Sequence, residues 1–153
     1  MIKIRITLES KEDVIREFII DPKNNLEYLH QCIVDNLKLD KLEMASFFIT
    51  NSNLDLIEEI PLFNISESSG KIKTMKNISI SSVLTSKDSK LIYIYDFMTM
   101  WRFFIEFLDF SKEKKYQCIN EIGKMPLKSP KLKFESSLKE NLDFFHDSNK
   151  YEQ

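Results

Sequence analysis

Glycine is nearly missing: Gly70 and Gly123 are the only two among 153 residues. That scarcity excludes a P-loop, a GxGxxG dinucleotide turn and a GxSxG nucleophile elbow, each of which needs glycine where backbone meets a phosphate or turns sharply beneath a nucleophile. Arginine is scarce as well, at three residues against 19 lysines, and alanine occurs once, at Ala45. With the large Ile and Asn content, this reads as the codon drift of an AT-rich gene, not as a mark of function. The two cysteines, Cys32 and Cys118, stand 86 positions apart with no CxxC or HxxxH beside them. They read as two reduced, largely buried thiols, with no bridge, no metal and no cofactor indicated. No window holds the roughly 20 apolar residues of a bilayer span, and Met1 to Arg5 alternates where a signal peptide would be continuously apolar. A cytoplasmic protein with no membrane partner is expected.

What is present is enough for one packed domain. Apolar residues make up 42% of the chain, 12 are Phe, and the net charge is −2. A chain of this length buries about 68–70% of its unfolded surface, so its core needs no metal or disulfide, and the aromatic content excludes wholesale disorder.

Ile2, Ile4, Ile6 and Leu8 alternate with Lys3, Arg5, Thr7 and Glu9, the period of a strand with one wet face. After Ser10-Lys11-Glu12-Asp13, residues 14–20 predict a second strand paired as an antiparallel hairpin. Asn25 caps a predicted helix over 25–37, whose Leu26, Leu29, His30, Ile33, Val34 and Leu37 fall on one face. Phe47 to Thr50 predicts a third strand. Residues 54–77 read as a surface excursion with a polar hinge at 66–71, and 78–84 as a short helix or a single turn. Residues 90–97 and 102–108 are aromatic strands joined through Met98-Thr99-Met100-Trp101, a central hairpin covered on both sides. The last twenty residues read as a short amphipathic helix, with Leu138, Leu142 and Phe145 on one face, or as a tail.

Several residues invite a chemical reading. His30 would need a carboxylate or nucleophile in a polar cleft to act as a base; a half-buried histidine capping a neighbouring strand or bonding a backbone carbonyl is the favoured role. Asp96, among Tyr93, Tyr95 and Phe97, reads first as a turn residue bonding backbone N–H groups, and otherwise as a carboxylate in an apolar setting. Met98, Met100 and Trp101 form an apolar tip, which is a docking patch if exposed and plain core if buried beneath 54–77. Charge is polarised along the chain: residues 1–110 carry −4, and residues 111–133 carry +5. The latter stretch holds Lys112, Lys114, Lys115, Lys124, Lys128, Lys131 and Lys133. Beside Tyr116 and Phe134 these could follow a nucleic-acid backbone, but the shortage of Arg favours a solvated tail.

The order of elements and certain residues also match a known pattern: Leu29-His30-Gln31-Cys32-Ile33, Met44-Ala45-Ser46-Phe47-Phe48-Ile49, Leu91-Ile92-Tyr93-Ile94-Tyr95-Asp96-Phe97, Trp101-Arg102-Phe103-Phe104-Ile105, and Tyr116-Gln117-Cys118-Ile119 with Gly123 and Pro126. Over residues 1–126 the chain resembles the plasmid ORF-three-like family, whose members are often described as insertion-element passenger or TnpR-family proteins. The resemblance implies an α+β domain with a mixed sheet and no assigned molecular function. It implies family-motif positions at His30, Tyr95 and Asp96, without a role for them. Polar residues that members often carry are replaced here by Met44, Met98-Thr99 and Phe103.

The sequence therefore predicts an α+β domain over 1–126, opening ββα, with a mixed, mostly antiparallel sheet and one main covering helix, followed by a Lys-rich, weakly structured extension over 127–153. Its expected role is a non-enzymatic protein-interaction module. The alternatives are a nucleic-acid-binding accessory of mobile elements and an enzyme of unknown substrate. Oligomeric state is left open.

Overall fold

The computed structural model describes residues 1–64 and 73–130. Alternation in the first segment gives strand β1 (Ile2–Leu8), with Ile2, Ile4, Ile6 and Leu8 all buried. The turn that follows is tied by Ser10, whose hydroxyl donates to the Glu12 carbonyl at 2.6 Å, and by the Leu8 N–H donating to the Val14 carbonyl at 3.0 Å. β2 (Ile15–Ile20) returns antiparallel to β1. Helix α1 (Leu26–Leu37) starts where the Asn25 side chain accepts the Tyr28 N–H at 2.9 Å and stops at Lys38, whose φ of 55° is left-handed. Such capping side chains satisfy a first-turn donor that the helix leaves unpaired.

The remaining strands are β3 (Ala45–Thr50), β4 (Leu56–Pro61), β5 (Lys90–Tyr95), β6 (Trp101–Phe110) and β7 (Gln117–Ile122). A one-turn α2 (Ile80–Val83) precedes β5. They form one seven-stranded sheet in the order β4-β3-β5-β6-β1-β2-β7, and each neighbouring pair is antiparallel, so the sheet is not mixed. β5 and β6 lie centrally, as their aromatic density predicts. The apolar stripe of α1 joins the inward residues of β1, β3, β5 and β6 in one core containing Leu29, Ile33, Ile4, Phe47, Tyr93 and Phe103.

Three expectations change. The surface excursion over 54–77 contains β4, an edge strand. Glu58-Glu59 interrupts its alternation because an edge strand has few buried positions to enforce one, and Pro61 is tolerated because it has no ladder N–H to lose at an edge. The opposite edge, β7, is exposed along most of its length and was likewise hidden within a lysine-rich stretch. Trp101 belongs to no loop: it opens β6, opposite Tyr95. The polar hinge at 66–71 and the expectations for 131–153 lie outside the described residues. Among the described residues, no helix is long and apolar enough to cross a membrane.

Gly123 ends β7 at a φ of +76°, where an added Cβ would overlap the carbonyl oxygen of Asp13. Left-handed backbone costs a non-glycine residue about 1–2 kcal/mol before any clash. Gly123→Ala is therefore expected to destabilise the fold by about 2 kcal/mol or more, read as a lower urea midpoint at unchanged slope.

Candidate functional site

The β5–β6 connection is built around Asp96. Asp96 and Met100 both take left-handed backbone, with φ of 57° and 55°. The Asp96 carboxylate accepts the Met98 N–H at 3.0 Å and the Thr99 hydroxyl at 2.7 Å, while its carbonyl accepts the Met100 N–H at 2.6 Å. The Asp96 N–H donates to the Met44 carbonyl at 2.8 Å, pinning the tip to the segment before β3. Asp96 is thus committed to backbone and turn.

This scaffold divides the three expected tip residues. Met98 is 92% exposed, whereas Met100 is half-buried and Trp101 packs against the core. Phe97, next to Met98 in the chain, is 42% exposed, and Leu42, 90% exposed, lies in the loop held to this end of the sheet where the Tyr95 hydroxyl donates to the Asp40 carbonyl at 2.8 Å. Strand direction places exposed Phe63 and Leu127 at this same end of the sheet, where β4 and β7 finish. A depression of about 410 Å³ lined by Ser10, Lys11, Glu12, Pro126, Lys128 and Pro130 also lies at this end. The available signal was a set of single large apolar residues inside otherwise polar connections.

His30 is elsewhere. It is fully buried, with Nδ1 2.7 Å from the Tyr93 hydroxyl, so its partner is a phenol and not a backbone carbonyl. Tyr93 is itself packed by Phe47 at 4.8 Å and Phe103 at 5.9 Å between ring centroids. Burial lowers the imidazole pKa below its usual value, partly offset by Glu27 and Asp35, and raises that of the Tyr93 phenol. Both are neutral, and the His30 Nε2 meets no partner among the described residues. The pair fastens α1 to β5. Tyr95 likewise fastens β5 to the Asp40 loop.

The cysteines are free, Cys32 buried and Cys118 half-buried. Burial raises both thiol pKa values, and the Cys32 thiol lies against the hydroxyls of Tyr28 and Tyr116. Protonated thiols are poor nucleophiles and poor metal ligands. No group of three or more His, Cys, Asp or Glu that could hold a metal occurs among the described residues.

The lysines do not form one patch. Lys112, Lys114 and Lys115 precede β7, and Lys124 and Lys128 follow it, so the six residues of that strand separate the two groups by about 20 Å. Lys131 and Lys133 lie outside the described residues. The three arginines are engaged within the protein. Arg5 pairs with Glu17 at 3.1 Å, Arg102 pairs with Glu9 at 3.3 Å, and Arg16 donates to the carbonyls of Ile15 and Ile122.

These features define an α+β protein with a single antiparallel sheet and an apolar sheet end. Residues 1–131 match the model of the plasmid pRiA4b ORF-3-like proteins, and the chain belongs to that family. Among solved structures, it is similar to a protein of unknown function from Methanosarcina mazei Go1, with a TM-score of 0.62 and 14% identity over 78% of this chain and 67% of that one. That likeness shows the fold. No curated protein matches the chain.

Because the folded His30 pKa lies below its unfolded value, the unfolded chain binds the extra proton between the two. Stability is therefore full above about pH 6.5 and is lost as the pH falls from there toward the folded pKa. The melting temperature should drop between pH 7.5 and 5.5, and His30→Gln should flatten that drop; an undiminished drop in the variant would assign it to another group.

Proposed function

We propose that the protein is a non-enzymatic interaction module that docks another protein on the end of its sheet. The observation that carries the reading is Met98, 92% exposed on a tip held in left-handed backbone by Asp96. Hairpin tips are ordinarily polar, and an exposed apolar cluster on a rigid turn is the usual form of a protein-docking patch. Phe97 adjoins Met98 in the chain, and Leu42 lies in the loop whose Asp40 and Met44 carbonyls are bonded by Tyr95 and Asp96. The enzyme alternative has less support, since Asp96, His30 and the two thiols are each engaged in structure. The nucleic-acid alternative is left with two separated lysine groups and no free arginine fork.

Met98→Asp is expected to weaken capture of the native partner at least about tenfold while shifting stability by less than about 0.5 kcal/mol. Trp101→Ala, by contrast, should cost about 2–4 kcal/mol, because its ring packs on the core. Capture should be nearly unchanged between low and moderate salt. A steep fall with salt, together with loss of capture in Lys114→Ala/Lys115→Ala, would give the site to nucleic acid instead.

A further inference from the structure

The two edges of the sheet are built differently. β4 carries Glu58-Glu59 and Pro61, charge and proline being the usual devices that keep an edge from pairing with another chain. β7 has no lysine and no proline within Gln117–Ile122, and Ile119 and Ile122 are 39% and 43% exposed beside an edge that no described strand covers. Its polar side chains are turned back into the fold: the Asn120 amide donates to the Glu17 carboxylate at 3.0 Å, and the carboxylate of Glu121, the strand's only charge, accepts from the Asn36 amide of α1 at 3.4 Å. A register shift between Glu17 and Phe18 puts one extra residue, Ile119, in β7, so the pairing edge is Asn120–Ile122 with Gln117-Cys118 beyond the bulge. What β7 offers outward is chiefly main chain, with donors and acceptors that a neighbouring strand would satisfy.

The surroundings select the kind of strand that fits. Lys112, Lys114 and Lys115 lead into β7, and Lys124 and Lys128 follow it; all five are exposed. None of them has an ion-pair or side-chain hydrogen-bond partner among the described residues. A depression of about 570 Å³ at the start of the strand is lined by Lys112, Glu113, Lys114, Lys115, Tyr116 and Gln117, roomy enough for a carboxylate side chain. A second copy is a poor match, because antiparallel β7–β7 pairing would set Lys115 of each copy beside Lys124 of the other, and like charges placed directly opposite repel.

We infer that β7 is the docking edge for an extended acidic segment of another protein, bound by strand addition. Main-chain hydrogen bonds continue the sheet, and carboxylates toward the two ends of the segment meet lysine groups about 20 Å apart. An apolar side chain between them extends the row Thr7, Ile15 and Ile122. The surface is the edge of the sheet and not the Met98 tip, so this reading and the docking proposed above stand or fall independently.

The test selects from a random twelve-residue peptide library displayed on phage against the immobilised full chain. Selected peptides are expected to carry Asp or Glu toward both ends about threefold or more above the unselected library. The leading peptide is then synthesised with two copies, one N-methylated at odd positions and one at even. One copy should bind at least about tenfold weaker and the other nearly as well as the parent, since a strand pairs through alternate residues. Lys112→Glu/Lys114→Glu/Lys115→Glu should weaken the parent peptide about tenfold or more at unchanged melting temperature, whereas Met98→Asp should leave it unchanged. No acidic enrichment, equal binding of both N-methylated copies, or loss of binding in Met98→Asp would overturn the proposal. So would an oligothymidylate that displaces the peptide and binds more tightly, giving the lysines to nucleic acid, or a wild-type assembly that resists dilution and excludes the peptide, giving the edge to a second copy.

Discussion

One helix of twelve residues, about 18 Å long, is set against a sheet of seven strands about 29 Å across. That mismatch of dimensions governs the molecule. Burial of the α1 stripe on β1, β3, β5 and β6 supplies the main core, and the His30–Tyr93 bond fixes the helix over the strand nearest the sheet's middle. Everything beyond the helix's footprint must be handled by other means. At one edge this is the glutamate pair of β4, at the other the exposed β7, and at the strand ends a set of side chains that no described element covers.

The polar groups are consumed by the same constraint. A buried imidazole is expensive unless bonded, and the Tyr93 phenol supplies the bond. Each arginine is engaged within the fold: Arg16 closes onto the carbonyls at the β2–β7 junction, Arg5 onto Glu17 of the neighbouring strand, and Arg102 onto Glu9 just past the end of β1. With these hydrogen-bonding groups engaged within the fold, the sheet end exposes Met98, Leu42 and Phe97 alongside charged residues such as Lys11, Glu12 and Lys128.

How much of this was legible follows from how strongly each segment's environment imposes a pattern. β1 has a buried face and a wet face, and its Ile and Leu positions say so. α1 has a cap, a stripe and a stop. β4 and β7 sit at edges, where few positions are buried, so their sequences carry no period and read as loop. The turn role of Asp96 is visible in its chemistry, because an Asp between two aromatic strands is a natural turn former. The position of Trp101 was not visible, since the hairpin's register decides whether a tip residue points out or belongs to the ladder, and register is a property of both strands. Leu42 and Phe97 went unread because a single apolar residue in a polar connection has no spacing to mark it. The His30 partner was unreadable for another reason: it lies 63 positions away and is chosen by topology.

The shortage of glycine noted at the outset returns in the backbone. Lys38, Leu54, Asp96 and Met100 all occupy the left-handed region that glycine would fill without strain. Of these, Asp is tolerated there by its short polar side chain, but Lys, Leu and Met each forgo about 1 kcal/mol or more. For a domain whose total stability is on the order of 5–15 kcal/mol, three such positions are a sizeable latent margin. Nucleotide bias in a genome can thus set the thermal ceiling of a fold, independently of how well its core is packed.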